Sequence, residues 1–177
     1  MKNTIFINLF GGPGTGKSTL CATIFAYLKT KGIDCEMALE YAKDVVWDEN
    51  YKKLLNQVYI FGKQHNRLYR LTGKVDVVIT DSPLLNSIIY DESRDECLKN
   101  IVISEFKKMN TLNYFVERHF EYQQNGRVQN YTQALDVDTF YKDLLEENKI
   151  PYKHIQNNSM NLAIIIEDIL NKLKDDK

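Results

Sequence analysis

Residues 11–18, GGPGTGKS, fit the pattern G-x-x-x-x-G-K-[ST] and stand between an apolar, strand-like run and a helical pattern. In that context the pattern is a phosphate-binding loop. Glycine backbone at Gly12, Gly14 and Gly16 lets successive N–H groups, with those of Thr15 and Thr19, converge on an anion, and the following helix adds its positive end. Lys17 is a mobile point charge with the reach for β- and γ-phosphates, and the Ser18 hydroxyl is an oxygen ligand suited to Mg²⁺. A second acid, Asp81, closes the apolar run VDVVIT, where a carboxylate can hold the Mg²⁺ water shell. Asp81 and Ser82 ahead of Pro83 also suit a helix cap.

Phosphoryl transfer needs an acceptor half as well. The string Glu40-Tyr41-Ala42-Lys43-Asp44 follows a short strand and should open at the carboxyl edge of the sheet, where α/β proteins bind ligands. Glu40 is the expected base and Asp44, one turn on, its backup. Gln57, Phe61 and Gln64 share one side of the next helix, and amides around a ring can read a flat base. Tyr41, Phe61 and Gln64 are therefore expected to touch an acceptor with Glu40 and Asp44, although packed core and wet surface explain the same residues. His65 falls on the apolar stripe and reads as packed. The segment 118–130 is long, polar and bracketed by Arg118 and Arg127, which is the composition of a lid that brings cations to transferring phosphates. Arg127, beside Gly126, is the expected catalytic arginine, and Arg118 is expected to bind nucleotide.

The elements that must position these groups alternate between β-prone and amphipathic segments. This is the pattern of an α/β fold with a mostly parallel sheet. Strands are expected at 4–10, 34–39, 75–80 and 111–117, with a weaker one at 152–155. Helices are expected at 17–31, 51–71, 136–148 and 160–173. No repeat or Pro/Gly-rich linker divides the 177 residues, so one domain spanning 1–177 is expected.

A net charge of −1 argues against a whole-protein nucleic-acid or polybasic membrane surface, so the expected partner is a small molecule. Three cysteines without C-x-x-C spacing suggest neither a disulfide framework nor a zinc site, and a cytoplasmic setting is expected. No run reaches the roughly 18 apolar residues of a membrane span. Richness in Lys, Asn, Ile and Asp hints at an AT-rich bacterial or phage genome. A GTPase reading fails because Asn148-Lys149-Ile150-Pro151 has proline where a guanine reader needs a carboxylate. An AAA-type motor reading is weak, because about 160 residues after the loop leave little room for a helical lid domain.

GGPGTGKST, EYAKD, Q-x-x-x-F-x-x-Q, VVITDSP and Y-x-x-x-G-R occur in this order between residues 11 and 127, within a likeness that spans residue 4 to about 170. In this the chain resembles the NadR-like group of small P-loop kinase-like ATPases, nearest the ribosylnicotinamide kinase domain of NadR. The resemblance implies a P-loop NTPase three-layer sandwich whose five-stranded parallel sheet has the order 2-3-1-4-5. It also implies ATP and Mg²⁺ as cofactors and a nucleoside- or nucleotide-like acceptor. Lys17, Ser18, Glu40, Tyr41, Asp81 and Arg127 match the group's phosphate, metal, acidic-aromatic and lid positions. The resemblance implies a γ-phosphoryl transferase. Alternatives are a kinase acting on a modified base or end of DNA, and a regulatory ATPase without an acceptor.

Overall fold

The computed structural model describes residues 2–119 and 130–175. Five parallel strands, β1 (Ile5–Phe10), β2 (Cys35–Met37), β3 (Val77–Thr80), β4 (Asn110–Glu117) and β5 (Lys153–Gln156), form one sheet in the order β2-β3-β1-β4-β5. The order is the one the resemblance implied. Each strand lies within about two residues of its expected position at either end, β2 being shortened to three residues.

The alternation of a pleated strand sorts the core into two layers. Ile5, Ile7 and Leu9 of β1 face Leu20, Ile24 and Leu28 of α1 (Lys17–Thr30) and Ile165 and Ile169 of α8 (Ser159–Asp175). Phe6 and Phe10 face the other way. They meet Phe106 of α6 (Glu96–Lys107) and Tyr141 of α7 (Tyr131–Glu147). Central strands buried on both faces read as continuous apolar runs, which is why VVIT was legible as a strand. One polar residue interrupts β1: Asn8 is fully buried, stands in register with Asn113 of β4, and donates to its Oδ1 at 3.0 Å.

Several helices depart from expectation. The single helix expected over 51–71 is broken into α3 (Tyr51–Leu54) and α4 (Gln57–Tyr69). The break is chemically stitched: Asn56 Oδ1 accepts from Tyr59 N–H, and Gln57 Nε2 donates to the Leu54 carbonyl at 2.7 Å. The break also turns the buried face. Gln57, Ile60, Phe61, Gln64 and Leu68 point inward, while Val58 is 62% exposed. Helix α7 starts five residues before its expected position, because Asn130 and Gln133 form a reciprocal capping box. Three helices had no expected range: α2 (Tyr41–Trp47), α5 (Asn86–Ile89) and α6, whose start is capped by Asp95.

Candidate active site

Every chemically interesting loop leaves the same edge of the sheet. The phosphate loop follows β1, Glu40 follows β2, Asp81 follows β3, Arg118 follows β4 and Asn157 follows β5.

The loop has the backbone its glycines imply: Gly11, Gly14 and Gly16 all have positive φ. Gly16 is the N-cap of α1 in a left-handed conformation, with no side-chain cap and no acid in the first turn. The first helical N–H groups are thus left for an anion. Ser18 and Thr19 are exposed at this mouth. Thr15 is buried, and its hydroxyl turns inward to the Gly12 carbonyl at 3.2 Å, so only its backbone faces the nest. Lys17 Nζ donates to the carbonyls of Gly11 (2.6 Å) and Gly12 (2.8 Å). Burial lowers the Lys17 pKa, opposed by the charges of Glu40, Asp81 and Asp138 and reinforced by Arg118. The ammonium therefore stands where these three carboxylates converge.

Asp81 is 7% exposed, and its Oδ2 accepts from Ser18 Oγ at 2.5 Å. Its other oxygen, Oδ1, is buried with no hydrogen-bond partner among the described residues. A hydroxyl and a carboxylate with a spare oxygen are the hard donors Mg²⁺ takes, with phosphates and water completing the shell. The cap role considered for Asp81 is not realised; the helix that follows, α5, starts at Asn86 with Leu85 as N-cap and no side-chain cap.

Glu40 is the N-cap of α2, but its carboxylate makes no cap hydrogen bond. It is half-buried, and its pKa is raised by burial first and by the Asp81 charge second, against the pull of Lys17. A glutamate held above its ordinary range is a better proton acceptor near neutrality. Asp44 is placed differently: it is exposed and paired with Arg67, which also donates to the Leu39 carbonyl at 3.0 Å. Tyr41 packs its ring under the Arg67 guanidinium and shares a hydrogen bond with the Tyr59 hydroxyl at 2.8 Å.

Gln64 and Phe61 were expected either to touch an acceptor or to pack in the core. Both are buried. The Gln64 amide is spent on backbone, accepting from Tyr41 N–H (2.9 Å) and donating to the Ser82 carbonyl (3.0 Å). It ties the loop that carries Glu40 to the loop that carries Asp81. A buried amide bonded to backbone at both ends positions its neighbours.

The sequence reading missed Asp138 of α7. Its Oδ1 accepts from Gly12 N–H at 2.5 Å, and its Oδ2 pairs with Arg118 Nη2 at 3.0 Å. Arg118 Nη1 donates to the Pro13 carbonyl at 2.7 Å. The Gly12 N–H, expected to serve a phosphate, is thus tied to α7, and Arg118, expected to bind nucleotide, is held between the Pro13 carbonyl and Asp138. A Cβ on Gly12 would fall 2.5 Å from the Ala134 carbonyl, so helix and loop touch backbone to backbone. Asn157 makes a second unread contact, donating to the Gly16 carbonyl at 3.2 Å. Behind Asp81, Tyr141 donates to Asn86 Oδ1 (2.6 Å), and Asn86 donates to Ser82 Oγ (3.0 Å). Arg127 lies outside the described residues. His65, expected to be packed, lies half-buried within 3.5 Å of Glu105 and stacks on Tyr69.

A strand-to-helix phosphate cradle on a parallel 2-3-1-4-5 sheet, with a serine and a strand-end aspartate facing each other, defines a P-loop protein of the kinase and ATPase kind. The family model described as "AAA domain" matches residues 6–161, and the chain belongs to that family. Membership places the chain under a name that the sequence reading weighed only in its motor form. No curated protein matches the sequence. Among solved structures, thymidylate kinase from Ehrlichia chaffeensis is similar in fold, with TM-score 0.62, 12% identity, and 95% of this chain and 99% of that one covered. The crystal structure of APE1195 is similar at TM-score 0.50 and 17% identity, with 98% of each chain covered. No helix among the described residues is long and apolar enough to cross a membrane.

Proposed function

We propose that the chain is an Mg-ATP-dependent phosphotransferase that passes the γ-phosphoryl group to a hydroxyl or phosphate of a nucleoside- or nucleotide-like acceptor. The observation that carries this reading is the division of labour between two carboxylates facing Lys17. Asp81 is bonded to Ser18 on the donor side, while Glu40 is held proton-hungry at the mouth of the second strand. Environments that separate two acids in this way mark distinct metal-side and base roles. The likeness of fold to a thymidylate kinase and the motif order of NadR-type kinases support an acceptor of nucleoside type.

In the transfer, an acceptor oxygen forms a bond to the γ-phosphorus, the bond to the β-bridging oxygen breaks, and ADP departs with that electron pair. Glu40 takes the acceptor proton. Lys17 leaves the carbonyls of Gly11 and Gly12 to follow the phosphate charge, and the open N–H groups at the start of α1 hold the remaining oxygens. Bound through Ser18 and Asp81, Mg²⁺ would neutralise charge on the β- and γ-phosphates. Gln64 and Asp138 keep the two halves at fixed spacing.

The test is ATP consumption measured across a panel of nucleosides, nucleotides and nicotinamide riboside. One acceptor that stimulates turnover, with loss in both Lys17→Ala and Glu40→Gln, is expected. Turnover indifferent to every acceptor, and retained in Glu40→Gln, would overturn the reading in favour of a regulatory ATPase.

A further inference from the structure

The helices between β2 and β3 carry a charge opposite in sign to the rest of the chain. Residues 41–74 hold seven Lys and Arg against three Asp and Glu, while the other residues hold 16 against 21. The Asp44–Arg67 pair cancels one of each, leaving six cations against Asp48 and Glu49. The same stretch leaves large rings in water: Trp47 is 72% exposed, Tyr51 55% and Tyr69 67%. Single exposed rings are ordinary, but three of them within one short cation-rich stretch call for an account.

Two half-buried rings of the same stretch already carry cations. The Arg67 guanidinium lies 5.1 Å from the centre of the Tyr41 ring, and the Lys63 ammonium 5.5 Å from that of Tyr59. Lys43 and Trp47, one turn apart and both exposed, share the outer side of α2. Tyr51 is followed directly by Lys52 and Lys53, all exposed. Alternating rings and positive charges suit a ligand that alternates flat bases and phosphates. This face starts at Glu40, the N-cap of α2.

We propose that the outer face of α2–α4 binds single-stranded nucleic acid, with Trp47 and Tyr51 as stacking platforms and Lys43, Lys52, Lys53 and Lys63 against the phosphates. The acceptor oxygen at Glu40 is then carried on a strand. The transfer is the one given above: the strand oxygen bonds to the γ-phosphorus, ADP leaves, and the proton passes to Glu40. A single strand fits better than a duplex, because stacking on exposed rings needs unpaired bases. The net charge of −1 is no obstacle, since what steers a polyanion is the local field.

The strand's role as acceptor rests on the proposed phosphotransfer, but strand binding is measured without ATP and can fail while transfer to a free nucleoside succeeds. The probes are labelled oligo(dT) and oligo(U) of about 20 nucleotides, followed by fluorescence anisotropy over a salt series. Binding of either is expected, with a log–log salt slope of about −0.7 for each phosphate contacted. Lys52→Glu with Lys53→Glu should weaken binding at least about tenfold and flatten the slope by about one unit or more. Trp47→Ala should weaken it about tenfold with the slope preserved. These side chains are exposed, so melting temperatures should stay within about 3 °C of the parent. No binding at about 50 mM salt, or binding that both variants leave intact, overturns the proposal. Self-association of the protein that Trp47→Ala abolishes would also overturn it, and would assign the face to a second copy of the chain.

Discussion

Replacing Gln64 tests whether the two halves of the site are held together by one buried amide. Gln64→Leu keeps the approximate volume but strands two backbone groups, the Tyr41 N–H and the Ser82 carbonyl, in a position only 4% exposed. An unsatisfied buried group costs roughly 1–3 kcal/mol, so the pair should cost about 2–4 kcal/mol after partial relaxation. Gln64→Glu is the sharper probe. The new carboxyl can still accept from Tyr41, but when ionised it offers only lone pairs to the Ser82 carbonyl and adds a charge near Glu40 and Asp81. Protonated, it donates as the amide did. Its folded-state pKa should therefore rise above the unfolded value, so the native state binds the proton more tightly. Stability relative to the parent is then best at acid pH and falls as pH rises from the unfolded toward the folded pKa. The assay is urea unfolding of parent and variant from about pH 5 to 8. Gln64→Glu as stable as the parent at the alkaline end, or a deficit independent of pH, would refute the bridging argument.

Three further outcomes follow. Asp138→Asn keeps an acceptor for Gly12 but removes the carboxylate that pairs with Arg118, so affinity for a fluorescent ATP analogue should drop several-fold; unchanged affinity would remove Asp138 from the site. Asp81→Asn should raise the Mg²⁺ concentration needed for half-maximal activity by at least about tenfold, measured by metal titration at saturating ATP, with the fold unchanged by circular dichroism. For Glu40, the raised pKa and the need for a deprotonated base give a rate that climbs with pH through a value above the ordinary glutamate range. Glu40→Gln should lower kcat about 10²–10⁴-fold and abolish that acid limb, as a pH series of kcat/KM would show.

What could be read in advance follows the range of the interactions. GGPGTGKS and VVITDSP announce themselves because their chemistry is spelled in consecutive residues and their strands are apolar on both faces. The 2-3-1-4-5 order came through resemblance, since nothing in strand composition says which parallel neighbour a strand takes. Gly12 and Asp138 are 126 positions apart, and a lone aspartate on a helix carries no local mark of the loop it will meet. Gln64 was legible as a candidate but its backbone partners were not: an amide on an inward face looks the same whether it will meet a ligand or two backbone groups. Helix α6 buries only Leu98, Val102 and Phe106, a narrow stripe in an otherwise mostly polar segment, so its helical spacing is a weak signal.

The Asn8–Asn113 pair acts as an index mark for the whole site. Apolar strands lying parallel can slide by two residues and still bury apolar faces. Here such a slip would carry both amides away from each other inside a dry interior, at the cost of two buried polar groups. It would also lift the exit of β1 by about 6.6 Å relative to its neighbours, moving Ser18 away from Asp81. Two neutral residues that touch no phosphate thereby set the height at which the phosphate loop leaves the sheet. The alignment of donor and metal groups is thus calibrated in the core, far below the surface where the chemistry occurs.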